Sequence, residues 1–351
     1  MAAKGAARAV ADQLHAALLA EGALPVEAPI LLPADTLLDL YGEDIRARAY
    51  VTADPLRGEM MLRPDFTVPV VQIHMSEGAE PARYAYKGEV FRKQERPSAR
   101  AIEYLQVGYE VFDRDDPIGA DAEVFALFAR LLAPLSLRPV TGDIAILRAA
   151  VEGLRTTGAR KAALLRHIWR PMRFRRLLDR FGRARDPRVA LADEAPLIGL
   201  RSPAEIDRRL VALAEDCAAP PISDEERALL DTILDLSAPA GQALAHLGDL
   251  ARVLPAIGPA VTRMGARLAA LDQRGVAAAS LPFEASHGRT TLEYYDGFVF
   301  SFHAADPSLP PVASGGRYDA LTAHLGQGEG QSIPAVGGIF RPGLVADLGG
   351  L

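Results

Sequence analysis

Every second side chain of Tyr104–Gln106–Gly108–Glu110 is polar, aromatic or absent, while Leu105, Val107, Tyr109 and Val111 between them are apolar. A period of two predicts a β-strand with one face on a core. The preceding run, YAYKGEVF from Tyr84, has the same texture, and the polar stretch RKQERPSARA between them predicts a connecting loop. Gln106 and Glu110 therefore share the face away from the core. That face reads as the floor of a small-molecule pocket, with Gly108 leaving room for something to lie against the backbone.

Elsewhere the period is helical. MAAKGAARAVADQLHAALLAEG has apolar residues with Arg8, Asp12, Gln13 and His15 spaced among them, an amphipathic helix rather than a signal peptide. Extended chain should follow from Leu24, then a short helix at Asp35 to Leu40, then a hairpin-like turn near Pro55 to Gly58. A strand ending at Arg63–Pro64 and a helix from about Thr67 come next. IGADAEVFALFARLLAPLSL predicts a helix with Asp121 near its start and a stripe of Val124, Leu127, Phe128, Leu131 and Leu132. RPVTGDIAIL predicts one more strand.

From residue 148 to 280 alanine, leucine and arginine dominate, helical periodicity is continuous and strand signals vanish. Strands return in LPFEASHGRTTLEYYDGFVFSFHAAD, PPVASGGRYDALTAHLG and PAVGGIF. An antiparallel α+β sheet domain, residues 1–147 with 281–351, interrupted by a helical insertion, residues 148–280, fits this order better than alternating βαβ units.

Composition changes this picture little. The chain has 351 residues, 49% hydrophobic and 24% charged, which excludes wholesale disorder. A net charge of −6 argues against a dedicated nucleic-acid binder. The single cysteine, Cys217, can form neither an intrachain disulfide nor a thiolate metal site. With no apolar run approaching the roughly 18 to 20 residues needed to span a bilayer, a cytoplasmic protein is expected.

Three features carry less chemistry than they advertise. In RHIWRPMRFRRLLDRFGRARDPR, residues 166–188, Phe174, Leu177, Leu178 and Phe181 fall at helical spacing, so a helix surface is preferred over an anion or nucleic-acid site. GQGEGQS near residue 326 lacks the lysine of a phosphate loop. The seven histidines show no ligand spacing, so neither a metal nor another cofactor is expected.

Four stretches, in order, resemble the catalytic domain of histidyl-tRNA synthetases, a class II family. MLRPDFT is similar to its Leu-Arg-Pro-Glu-Gly-Thr. GEVFRKQERP with LQVGYEVF resembles its motif 2 and the following Gln-Phe-Gly-Val-Glu. TTLEYYDGFVF resembles Arg-Gly-Leu-Asp-Tyr-Tyr-Thr-Gly-x-Val-Phe, and SGGRYDAL with PAVGGIF resembles Gly-Gly-Arg-Tyr-Asp-Gly-Leu and the start of motif 3. The resemblance implies a class II synthetase-like fold and a histidine-binding pocket of Asp65, Arg92, Gln106, Glu110, Tyr294 and Tyr295. Asp65 and Gln106 would take the α-ammonium; Glu110 and a tyrosine hydroxyl would take the two imidazole nitrogens.

The chain departs from that family where ATP is handled. Thr290 stands at the arginine position of the histidine signature, with Arg289 one residue off. Gln94 takes the motif 2 glutamate position, and Arg341 comes early in motif 3, followed by Pro342. With the sequence ending at Leu351, an anticodon-binding domain is not expected. An arginine on developing phosphate charge is worth about 10²- to 10³-fold in rate, so little adenylation is expected. The whole chain resembles the paralogous family of ATP phosphoribosyltransferase regulatory subunits. That resemblance implies a non-catalytic role in histidine biosynthesis, with a short-form catalytic subunit as partner, histidine as feedback effector, a homodimer within a hetero-oligomer, and no tRNA. The alternatives are a histidine-activating, adenylate-forming ligase and a scaffold with a vestigial pocket. A buried carboxylate needs a partner, so Glu110→Ala is expected to leave the fold intact while weakening histidine binding.

Overall fold

The computed structural model of the chain describes residues 4–41, 45–46, 48–94, 101–184, 199, 202–289, 294–326 and 332–351. Helix α1 (Lys4–Ala20) buries Ala7, Val10, Ala11, Leu14 and Leu18, one stripe at helical spacing. Two short strands, β1 (Leu24–Pro25) and β2 (Leu31–Pro33), lead into α2 (Ala34–Tyr41). β3 (Val51–Asp54) and β4 (Gly58–Leu62) form the expected hairpin. Asp54 Oδ1 accepts the N–H groups of Leu56 and Arg57 at 2.8 and 2.9 Å, and Gly58 closes the turn at φ +81°, where a side chain would be strained. Then come α3 (Thr67–Glu77), the paired strands β5 (Ala82–Phe91) and β6 (Glu103–Phe112), and α4 (Pro117–Leu131), capped by Asp116 on the Gly119 N–H.

The next strand is shorter than its sequence predicts. β7 (Arg138–Asp143) stops at Asp143, whose carboxylate accepts the Ala145 N–H at 3.0 Å and starts α5 (Ile144–Glu152). The N-cap outweighs the β-propensity of Ile-Ala-Ile-Leu. Six helices follow: α6 (Gly158–Arg166), α7 (Pro171–Phe181), α8 (Pro203–Ala218), α9 (Asp224–Leu234), α10 (Ala240–Val253) and α11 (Gly258–Asp272). Among them lies one strand the sequence did not announce, β8 (Ser237–Pro239), paired with β9 (Pro282–Glu284). Three residues are too few for a period of two to register. The basic segment forms α7, which buries Phe174, Leu178 and Phe181; Arg175 pairs with Asp235 at 3.2 Å.

β10 (Phe298–His303), β11 (Ala313–Arg317), α12 (Asp319–Leu325), β12 (Ala335–Phe340) and α13 (Pro342–Asp347) complete the chain. Nine strands form one sheet in the order β1-β5-β6-β12-β11-β10-β7-β9-β8, and β2-β4-β3 form a second. Among the described residues only the β1–β5 and β7–β9 pairs are parallel. This is the antiparallel-rich α+β architecture that the order of elements predicts. One face of the large sheet carries Val107, Tyr109 and Val111 with Phe298, Phe300 and Phe302, packed on Phe125 and Phe128 of α4. The other face is left for polar side chains.

Candidate functional site

The second face is built by alternation. Antiparallel register sets Glu110 opposite Tyr84 and Gly337, and Gly108 opposite Tyr86 and Ile339. Side chains directly opposite share a face, so β5, β6 and β12 hold one polar floor. Space at Gly108 is taken by the chain itself: a Cβ there would lie 2.1 Å from the Tyr86 ring. The glycine therefore admits a tyrosine, not a ligand. Gly337 does the same for Glu110, since a Cβ would fall 1.5 Å from Oε2.

Glu110 is 1% exposed and well supplied with donors. Its Oε1 accepts the Tyr86 and Thr67 hydroxyls at 2.9 and 3.1 Å, and its Oε2 accepts Tyr318 at 2.6 Å. Burial pushes its pKa up to about 7, with the nearby Asp65 charge adding to the rise and the three hydroxyls opposing it. Thr67 spends its only proton on Glu110, so the Tyr294 hydroxyl, 3.3 Å away, donates to Thr67 Oγ1. The expectation that Glu110→Ala spares the fold is thereby corrected. Removing the acceptor strands three buried hydroxyls.

Asp65 and Gln106 stand differently. Asp65 is 5% exposed and Gln106 1%, yet among the described residues Asp65 Oδ1 and Gln106 Oε1 have no hydrogen-bond donor. Burial raises the Asp65 pKa, against the charge of Arg92 and the N–H groups of Val68 and Thr67. Arg92 is held by Nε donating to Pro64 O at 3.0 Å. Tyr294 and Tyr295 sit in a turn just before β10 rather than in the strand, their rings 4.8 Å apart and Tyr294 5.9 Å from Tyr318. Burial raises the Tyr295 pKa, and Glu110 adds to it. Thr290 lies outside the described residues.

Sequence reasoning missed Tyr86, Tyr318 and Thr67 as partners of Glu110, although all three stand in the quoted motifs. It also dismissed Arg341, whose place is described below. Arg289 does point away from this site: its Nε donates to Ile168 O at 2.7 Å and its guanidinium lies 5.1 Å from the Phe174 ring. Among the described residues, no group of three or more His, Cys, Asp or Glu could hold a metal ion.

Fold and floor together define a class II domain of the histidyl-tRNA synthetase type, and residues 2–180 and 204–341 match that family. Among solved structures, an ATP phosphoribosyltransferase regulatory subunit/histidyl-tRNA synthetase from Bacillus halodurans superposes with a TM-score of 0.71 at 21% identity, over 98% of this chain and 79% of that one. Histidyl-tRNA synthetase from a Nostoc species gives 0.67 at 16%, over 98% and 72%. Curated relatives narrow the family. The ATP phosphoribosyltransferase regulatory subunits of Agrobacterium fabrum and Rhizobium rhizogenes are 35% and 33% identical, each over 89% of this chain and 89% and 90% of their own. That of Brucella anthropi is 35% identical over 93% and 94%. The chain belongs to this family of regulatory subunits.

Proposed function

We propose that the chain acts as the regulatory subunit of ATP phosphoribosyltransferase, binding free histidine on the Gln106–Glu110 floor and passing that signal to a catalytic partner. The carrying observation is the pair of buried acceptors without donors, Asp65 Oδ1 and Gln106 Oε1, beside a carboxylate whose pKa is about 7. An α-ammonium supplies the missing donors, and an imidazole N–H suits the lone-pair capacity left on Glu110 Oε2. Transferase chemistry belongs to the partner. In this reading the chain needs no cofactor, binds no tRNA and works in the cytoplasm; no helix among the described residues is long and apolar enough to cross a membrane.

A homodimer through the N-terminal third belongs to the same proposal. Leu24, Ile30, Leu31, Val51 and Leu56 are exposed large apolar residues, all between the start of β1 and the β3–β4 turn. Sedimentation at micromolar concentration, alone and with the partner, is expected to show an even number of copies; a strict monomer would sink the dimer.

The function is tested by co-expression with a short-form catalytic subunit and assay of phosphoribosyl transfer against histidine concentration. Activity that needs this chain and falls with histidine is expected. Full activity of the catalytic subunit alone, or histidine-dependent pyrophosphate exchange by this chain at synthetase-like rates, overturns the reading in favour of an adenylate-forming ligase or a bystander.

A further inference from the structure

Arg341 comes too early for motif 3, yet alternation along β12 puts it on the Gln106–Glu110 face. β12 pairs with β6 so that Gly337 faces Glu110, Ile339 faces Gly108 and Phe340 faces Val107. One residue beyond the last paired position, Arg341 continues the alternation of Gly337 and Ile339 and so falls on the Gln106–Glu110 face. Its backbone N–H bonds Val312 O at 2.9 Å, so the ladder with β11 continues to this point.

The guanidinium is then fixed. Nη1 donates to Pro311 O, and the side chain lies within the field of Tyr104, two residues before Gln106 on the same face of β6. Burial lowers its pKa; Tyr104 opposes this, and the charge of Arg92 lowers it further. Among the described residues Arg341 has no ion pair with an aspartate or glutamate. Two guanidinium groups lie within each other's field, and Arg92 also lies within that of Asp65. Arg341, with no carboxylate paired to it among the described residues, leaves a charge that suits an anion.

The same face carries Gln106, one of the two acceptors that lack donors among the described residues. An α-amino acid carries ammonium and carboxylate on one carbon, so its recognition needs acceptors and a guanidinium as neighbours. Gln106 and Arg341 lie on one face of adjacent strands. We propose that Arg341, with Arg92, reads the α-carboxylate of the bound amino acid while Asp65 and Gln106 read its ammonium. The pocket then takes a free α-amino acid and discriminates against the corresponding alcohol or ester. This rests on the proposed histidine site and deepens it, by assigning to the end of β12 the anion contact that position 290 no longer supplies.

The test is calorimetry of the full chain, alone and in complex with the catalytic subunit, using histidine, histidinol and histidine methyl ester. Wild type is expected to bind histidine about ten- to a hundred-fold tighter than histidinol, the worth of a charge-assisted bond. Arg341→Met should bring histidine down to the histidinol level and leave histidinol binding where it was, which also shows that the variant folds. Equal affinities for histidine and histidinol in wild type overturn the assignment, and so does an equal loss of both ligands in the variant. Binding of neither ligand by wild type removes the histidine site itself, and the inference with it.

Discussion

Two buried polar clusters flank β11, and they are finished to different degrees. Arg267 of α11 donates to Asp143 at 2.6 Å and to Asp121 at 3.3 Å, and Arg317 donates to Asp121 at 3.0 Å and Asp319 at 2.9 Å. The guanidinium of Arg267 also lies 4.3 Å from the Phe298 ring. Every charge there meets an opposite one. Next along the chain, Tyr318 reaches the other cluster, where Glu110 accepts three hydroxyls but Asp65 and Gln106 keep acceptors without donors among the described residues. A closed network holds elements together; an open one leaves acceptors to be met by a ligand or water.

The largest effect should come from breaking the closed network. Arg267→Met leaves Asp143 buried without its cation and Asp121 with only Arg317, while keeping the volume of the stem. Removing one partner of a buried pair costs about 3–5 kcal/mol. Urea unfolding should show that loss, and histidine affinity, measured where the variant is folded, should change little. A loss below about 1 kcal/mol would mean the network is not what ties α11 to α4 and β7.

Glu110 comes next, because it belongs to both descriptions. Glu110→Ala strands the hydroxyls of Tyr86, Tyr318 and Thr67, each worth about 1–3 kcal/mol when buried without a partner, less the relief of deleting a buried charge. A net destabilisation of about 2–4 kcal/mol is expected. Glu110→Gln keeps an acceptor and sharpens the point through pH. The folded-state pKa of about 7 lies above the ordinary value of 4.5, so between these pH values the folded state holds a proton that the unfolded state has lost. Stability from this group is fully present below about 4.5 and is lost as pH rises through 7, by about 3 kcal/mol in all. Asp65 is shifted the same way by burial, and Asp296 rises to about 6. Only the difference between wild type and Glu110→Gln therefore reports Glu110. Melting curves from pH 4.5 to 8 should show the variant losing less stability than wild type; parallel profiles would contradict the raised pKa.

These two clusters were not equally legible in the sequence. Alternation alone put Gln106 and Glu110 on one face, and motif resemblance added Asp65, Arg92, Tyr294 and Tyr295. What closes around Glu110 was hidden, because Tyr318 and Glu110 meet from 208 positions apart and nothing local marks a tyrosine as a carboxylate's partner. Arg341 was set aside on motif spacing, which counts residues along the chain and is blind to the register that aligns β12 with β6. The strand read through Leu147 failed at a single cap, since Asp143 both starts α5 and anchors Arg267. The fold class survived these misses because hydrophobic period and element order depend on many residues, and a buried polar contact depends on two.

The smallest change in stability should accompany the most informative loss of binding. Gln106→Met keeps the length of the side chain and deletes an amide whose Oε1 has no donor in the ligand-free fold. A buried polar atom without a partner costs the fold its desolvation, so removing it should leave stability unchanged or raise it by about 1 kcal/mol. The ammonium of a bound amino acid loses an acceptor at the same time, and histidine affinity should fall about tenfold or more. Opposite signs in the two measurements are what an open network predicts. If Gln106→Met destabilises the chain by as much as Glu110→Ala, then Gln106 holds the fold as Arg267 does, and the distinction between the two clusters fails at the residue where it should be clearest.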